Sequence, residues 1–170
     1  MTYTHLLFDH DGVLVNTEPL YLQAIQEQLA TLGITLRETD YIQNMAVGAD
    51  PWGLARAAGC DEAMVDQLRD ARDARYQQLL RTRPIIIEGV DGLIAELAEH
   101  FQLAIVTTSR DVDFDLIHAL DGQPRTSATP DVVRHMGFIL TRSQYEKSKP
   151  DPQPYLLALS RFGIEPSQAL

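Results

Sequence analysis

Asp9 and Asp11 stand one residue apart at the end of an apolar run, in "HLLFDHDGVL", with Gly12 directly behind them. A carboxylate against a buried strand is costly unless a cation, a shared proton or a reacting substrate compensates it. Residues i and i+2 of a strand face the same way, so both acids can serve one site. Two acids at this spacing can divide a reaction. One attacks phosphorus and becomes an aspartyl phosphate, while the other protonates the leaving oxygen and then activates water. Gly12 permits the tight backbone departure that this requires. A hard cation such as Mg²⁺ would hold the nucleophile to a phosphate and offset the negative charge. Asp and Gly also make ordinary turns, and for these residues alone that reading stays open. His10, between the acids, is expected to point away from them and to pack.

Thr107 and Thr108 close a second apolar run, "LAIVTTSR". A hydroxyl and a backbone N–H at a strand end can grip a phosphoryl oxygen, and the next helix adds its dipole. The plainer alternative is a strand-forming Thr107, with Ser109 or Asp111 merely capping the helix. Lys149 lies in "KSKPDPQPYL". A proline behind it restrains its backbone, so its ammonium can be aimed at a nucleophile and a phosphate. Otherwise Lys147 and Lys149 are solvated surface lysines.

The elements that must position these groups follow from periodicity. Thr4 to Phe8 reads as a strand, and Thr17 as the cap of a helix carrying Leu22, Ile25, Leu29 and Leu32 up to Gly33. A short helix is expected from Trp52 to Gly59, and a longer one from Asp61 to about Leu80 with Met64, Val65, Leu68, Tyr76 and Leu79 inward. After Pro84 the pattern changes. A helix from Val90 to about His100 points Leu93, Ile94 and Leu97 inward, and Leu103 to Val106 is a buried strand. Asp111 to Leu120 is a helix, "DGQPRTSATPD" an exposed loop, "GFILT" a third strand and Pro152 to Phe162 a last helix. This order describes a three-layer, Rossmann-like parallel α/β sheet, residues 1–16 and 84–170, with an α-helical insertion over residues 17–83. Ligands in such sheets sit beyond the carboxyl ends of the strands. All three strands end there in useful groups: Asp9 and Asp11, Thr107 and Thr108, and Thr141.

Composition narrows the partners. The 170 residues include 14 basic and 24 acidic side chains, a net charge of -10, which disfavours nucleic acid and anionic membranes. Cys60 is the single cysteine, so no internal disulfide can form, as suits a reducing compartment. No stretch reads as a signal peptide or membrane span, and a cytoplasmic location is expected.

In this order and setting the three motifs resemble those of the haloacid dehalogenase superfamily, in its phosphatase-like members with a helical cap after the first motif. "FDHDGVL", followed by "VNTEPLY", resembles motif one, "IVTTSR" motif two and "SKPDPQPY" motif three. The resemblance implies Asp9 as nucleophile and Asp11 as acid/base. It implies Mg²⁺ held by the Asp9 carboxylate and the Asp11 main-chain carbonyl, with Thr107, Thr108 and Lys149 on the phosphate. The family's fourth motif, an acidic strand end completing the metal shell, would follow a segment like "FGIEPSQAL", and the sequence stops at Leu170. The strand expected beside the first one is missing with it, leaving an unpaired edge. A truncated or inactive fragment is therefore one alternative to a Mg²⁺-dependent phosphomonoester hydrolase acting on a small phosphorylated metabolite. A sugar phosphomutase is another, disfavoured because "MAVGADPWG" offers Ala49 and Asp50 where mutases carry a basic residue. Asp11 argues against a dehalogenase, which needs no such proton donor. Arg72 and Arg75 can touch an anionic substrate from the insertion, or can lie on the solvated face of "RDARDAR". Trp52 and His118 are expected to pack.

Overall fold

A computed structural model describes residues 3–46 and 48–170. The chain forms two compact units, one running to Thr17 and resuming over Leu80–Leu170, the other Glu18–Leu79.

The first unit is built on a parallel sheet in the order β1 (His5–Phe8), β2 (Gln102–Val106), β3 (Met136–Leu140). Leu7 lies opposite Ala104, and Ala104 opposite Phe138. Alternation along β2 sends Leu103 and Ile105 into a cluster with Leu14, Ile94, Phe114 and Val132. Val106 goes instead to a cluster with Leu140 and Ala158. Helices α5 (Val90–Ala98) and α6 (Asp111–His118) therefore contribute to one face and α7 (Gln153–Phe162) to the other, which makes the three-layer α/β architecture. The central strand β2 is buried from Leu103 to Val106 and reads as a continuous apolar run, as a strand covered on both faces does, while the outer strands β1 and β3 are half-buried.

The outer edge of β1 is not bare. The Leu7 N–H donates to the Leu170 carbonyl at 2.8 Å, the Leu170 N–H donates to the His5 carbonyl at 3.1 Å, and the Thr4 N–H donates to the Gln168 carbonyl at 2.9 Å. Residues 168–170 thus take up β1 backbone groups that the sequence reading left unpaired. The loop from Asp121 to Asp131 is mostly exposed, as expected, with Arg125 and Pro130 as its buried residues. Arg125 is buried, donating to the Arg83 carbonyl at 2.7 Å, while the Thr126 N–H donates to the Arg81 carbonyl at 3.0 Å. On α5, Ile94 is buried but Leu93 faces outward, because the core takes only one stripe of a helix.

The second unit is helical: α1 (Glu18–Ala30), α2 (Glu38–Ala46), α3 (Gly53–Ala57) and most of α4 (Glu62–Thr82). Its core joins Leu22, Ile25 and Leu29 of α1 to Trp52, Ala55, Val65 and Leu68. Trp52 packs as expected, whereas Met64 is exposed. The sequence reading places α2 inside a helical insertion but names no separate helix there, although Tyr41, Ile42 and Met45 recur at helical spacing. Among the described residues no helix is long and apolar enough to cross a membrane.

Candidate active site

Beyond Phe8 the chain turns sharply. The His10 carbonyl accepts the Leu14 N–H at 2.8 Å, the Gly12 N–H donates to the Val15 carbonyl at 2.8 Å, and Gly12 has φ +72°. A side chain at that φ would be strained, so glycine is what the turn requires.

The turn presents two carboxylates in different surroundings. Asp9 is 48% exposed. Its Oδ1 accepts the His10 N–H at 2.8 Å and lies 2.9 Å from Lys149 Nζ. The same ammonium donates to the Val106 carbonyl at 2.7 Å, so the last residue of β2 helps aim the cation at the first acid. Asp11 is enclosed. Its Oδ1 accepts the Thr17 hydroxyl at 2.6 Å, and its Oδ2 accepts the Ser109 hydroxyl and lies 3.4 Å from His10 Nδ1. Burial pushes the Asp11 carboxyl up, but His10, Ser109 and Thr17 more than offset this and hold it well below the usual carboxylate range.

Thr107 is fully buried at the end of β2. Its Oγ1 accepts the Ser109 N–H at 3.0 Å and lies 3.0 Å from Ser109 Oγ and 3.4 Å from Asp11 Oδ2. The Tyr145 hydroxyl donates to its carbonyl at 2.6 Å. Thr108 is exposed and takes no part in these bonds. Thr141 turns to Asp111 instead, its hydroxyl donating to that carboxylate.

The structure therefore gathers Asp9, Asp11, Thr107 and Lys149 at the carboxyl ends of β1 and β2. Three partners of Asp11 were not anticipated by the sequence reading. Thr17 and Ser109 look like helix caps, yet both hydroxyls go to Asp11. His10 was expected to face away, yet its Nδ1 reaches that carboxylate while its ring is buried beside Phe114. The other imidazole nitrogen, Nε2, lies 2.9 Å from Nε2 of His118, which is itself buried.

Arg72 and Arg75 belong to the helical unit. Arg72 is only 12% exposed, so it is not on a solvated face. Its Nη1 donates to the Tyr21 hydroxyl, and its guanidinium lies 4.7 Å from the Tyr21 ring centre and 5.9 Å from that of Trp52. It lines a cavity of about 320 Å³ with Tyr21, Tyr41, Trp52, Asp50 and Arg69. Arg75 pairs instead with Glu27, Nε to Oε2 at 2.6 Å. Among the described residues no three His, Cys, Asp or Glu side chains gather as a ready metal centre.

A carboxylate beside a cation, a second carboxylate wrapped in donors and a buried strand-end hydroxyl define a class of site suited to phosphoryl transfer. The sequence model of the haloacid dehalogenase-like hydrolases matches residues 6–170, and the chain belongs to that family. It is 27% identical to N-acetylmuramic acid 6-phosphate phosphatase of Pseudomonas aeruginosa, over 97% of this chain and 70% of that one. It is 29% identical to protein CbbY of Rhodobacter capsulatus, over 97% and 74%. In fold it matches the crystal structure of a phosphoglycolate phosphatase candidate from Lactobacillus plantarum. The TM-score is 0.74 at 24% identity, covering 99% of this chain and 76% of that one. The chain is thus a hydrolase of the phosphatase-like kind.

Proposed function

We propose that the protein is a phosphomonoester hydrolase that works through an aspartyl phosphate on Asp9 and acts on a small phosphorylated sugar or related metabolite. The observation that carries this reading is the contrast between the two acids. Asp9 is open to an incoming phosphate and has Lys149 at 2.9 Å, whereas Asp11 is held in place by surrounding hydroxyls.

In the first step an Asp9 oxygen attacks phosphorus, the bond from phosphorus to the leaving oxygen breaks, and Asp11 gives that oxygen a proton. Asp11 carries no such proton in its present surroundings. The negative charge of an arriving phosphate raises its affinity for one, as like charges do, and Asp11 takes that proton up from solvent as the substrate binds. In the second step Asp11 takes a proton from water as the water attacks phosphorus, and Asp9 leaves as a carboxylate. Lys149, anchored on the Val106 carbonyl, faces the transferring phosphoryl group. Thr107, whose N–H donates to the Leu140 carbonyl and whose hydroxyl lies against Asp11 and Ser109, holds the end of β2 in place. The exposed Thr108 beyond it is left as the donor to the phosphoryl oxygens.

Hard oxygen donors for Mg²⁺ are the Asp9 carboxylate and the Asp11 main-chain carbonyl, since both Asp11 carboxylate oxygens already accept hydroxyls. Mg²⁺ commonly takes one or two protein oxygens and completes its shell with phosphate and water, so this donor set suits it. When bound it would neutralise charge on the phosphate and the nucleophile. The helical unit, inserted between β1 and β2 in sequence, is read as the cap that recognises the leaving portion, with Arg72 and the rings beside it as its recognition groups. The sugar-phosphate class is supported by the name of the Pseudomonas relative.

The test is phosphate release from a panel of sugar phosphates and p-nitrophenyl phosphate, with Mg²⁺ or with EDTA. Release that needs Mg²⁺ and falls at least about 1,000-fold in Asp9→Asn is the expected result. Transfer of the phosphate to a second sugar hydroxyl, with none set free, would contradict it.

A further inference from the structure

His10 and His118 lie 108 residues apart in sequence, and their Nε2 atoms meet at 2.9 Å. Both are buried, His10 completely. Two facing ring nitrogens at hydrogen-bond distance hold one proton between them, one donating and the other accepting. On its other side His10 places Nδ1 3.4 Å from Asp11 Oδ2. An ionised carboxylate can only accept, so Nδ1 carries the proton of that contact. The result is a chain running from Asp11 through His10 to His118 and into α6.

Packing alone gives no reason for these residue types. Phe114 contacts both rings, with centroids 4.8 Å from His10 and 4.6 Å from His118. Apolar side chains would fill that space without the cost of burying ring nitrogens. What imidazoles supply, and aliphatic groups cannot, is a directed donor at Asp11 whose ring plane is fixed from behind.

We propose that His10, braced by His118, is a positioning residue that sets the Asp11 carboxyl for proton transfer to the leaving oxygen. The proposal rests on Asp11 being the acid/base group. His10 touches no reacting atom, and His118 acts only through His10. Positioning of this kind matters in proportion to how much help the leaving oxygen needs.

The leaving group therefore provides the readout. In kcat/KM for phenyl phosphate, a poor leaving group, His10→Leu should lose about tenfold or more, against less than about twofold for p-nitrophenyl phosphate. His10→Asn, whose side-chain NH₂ can stand near the position of Nδ1, should recover most of the loss. His118→Phe, which keeps the packing, should show the same selectivity at smaller size. If His10→Leu does not fold, His118→Phe alone carries the comparison. Equal losses on both substrates, or no rescue by Asn, would overturn the proposal. Asp11→Asn separates this from failure of the parent reading. A phenyl-selective loss there with none in the histidine variants sinks the positioning role alone, whereas no selectivity in Asp11→Asn sinks both.

Discussion

The two units handle charge in opposite ways. In the α/β unit Asp9 stands half-exposed, but the polar groups around Asp11 are buried or half-buried and held by partners far away in sequence, as Ser109 is by Asp11 and Tyr145 by Thr107. In the helical unit most ion pairs are open to water and several are local, such as Arg37 with Asp40 and Arg69 with Asp66. Buried charges cost much and persist only when fully satisfied, while exposed pairs are screened and cheap to lose. The difference separates groups placed for chemistry from groups that keep a surface wetted. Arg72, only 12% exposed, lies over the Tyr21 ring and near that of Trp52 and resembles the first kind in its burial, although its ion pair, with Asp73, is local.

That comparison can be broken from either side. Lys149→Ala removes a cation bonded to both Asp9 and the Val106 carbonyl, and kcat should fall about 100-fold or more in steady-state phosphate release. A loss near twofold would place Lys149 among the surface lysines.

A stability effect of intermediate size follows from His118. Burial, and after it the neighbouring His10, pushes the His118 imidazole down to about 3 from its ordinary 6.5. Between those values the unfolded chain binds a proton that the folded chain refuses, so stability falls as pH drops from about 6.5 towards 3. Denaturant melts at pH 7 and pH 5 should show that drop, and His118→Phe should make it shallower. An unchanged slope in the variant would remove His118 from the account.

The smallest effect belongs to the helical surface. Arg75→Ala breaks the pair with Glu27, whose carboxyl lies below its ordinary range mainly through the Arg75 hydrogen bond. With both partners about a third exposed, the loss should stay within about 1 kcal/mol by thermal melting. A larger loss would mean that this surface is held more rigidly than its exposure implies.

Much of this layout is legible in the sequence because parallel α/β folds punctuate themselves. Apolar runs ending in Asp9, Thr107 and Thr141 mark the carboxyl edge of the sheet, and a glycine at a turn with φ +72° marks where β1 must leave it. What stayed hidden is non-local or ambiguous. A hydroxyl such as that of Thr17 or Ser109 reads as a helix cap, because capping is the common use, and only the tertiary fold brings both to Asp11. His10 was assigned by strand alternation, which fails once the chain leaves β1 and turns at Gly12. Its partner His118 could not be inferred across 108 residues. Helix α2 lies inside the expected helical insertion but was not singled out, because nine residues with Tyr41, Ile42 and Met45 as the large apolar groups make a short signal. Arg125 was missed because a buried arginine in a polar loop has no local signature.

The central claim is that phosphate passes through Asp9. The direct measurement is an acid quench during turnover of radiolabelled p-nitrophenyl phosphate, followed by mapping of labelled peptides. The account predicts label on the peptide containing Asp9, absent in Asp9→Asn. Phosphate released at the normal rate with no labelled peptide, or label on a peptide elsewhere in the chain, would contradict it.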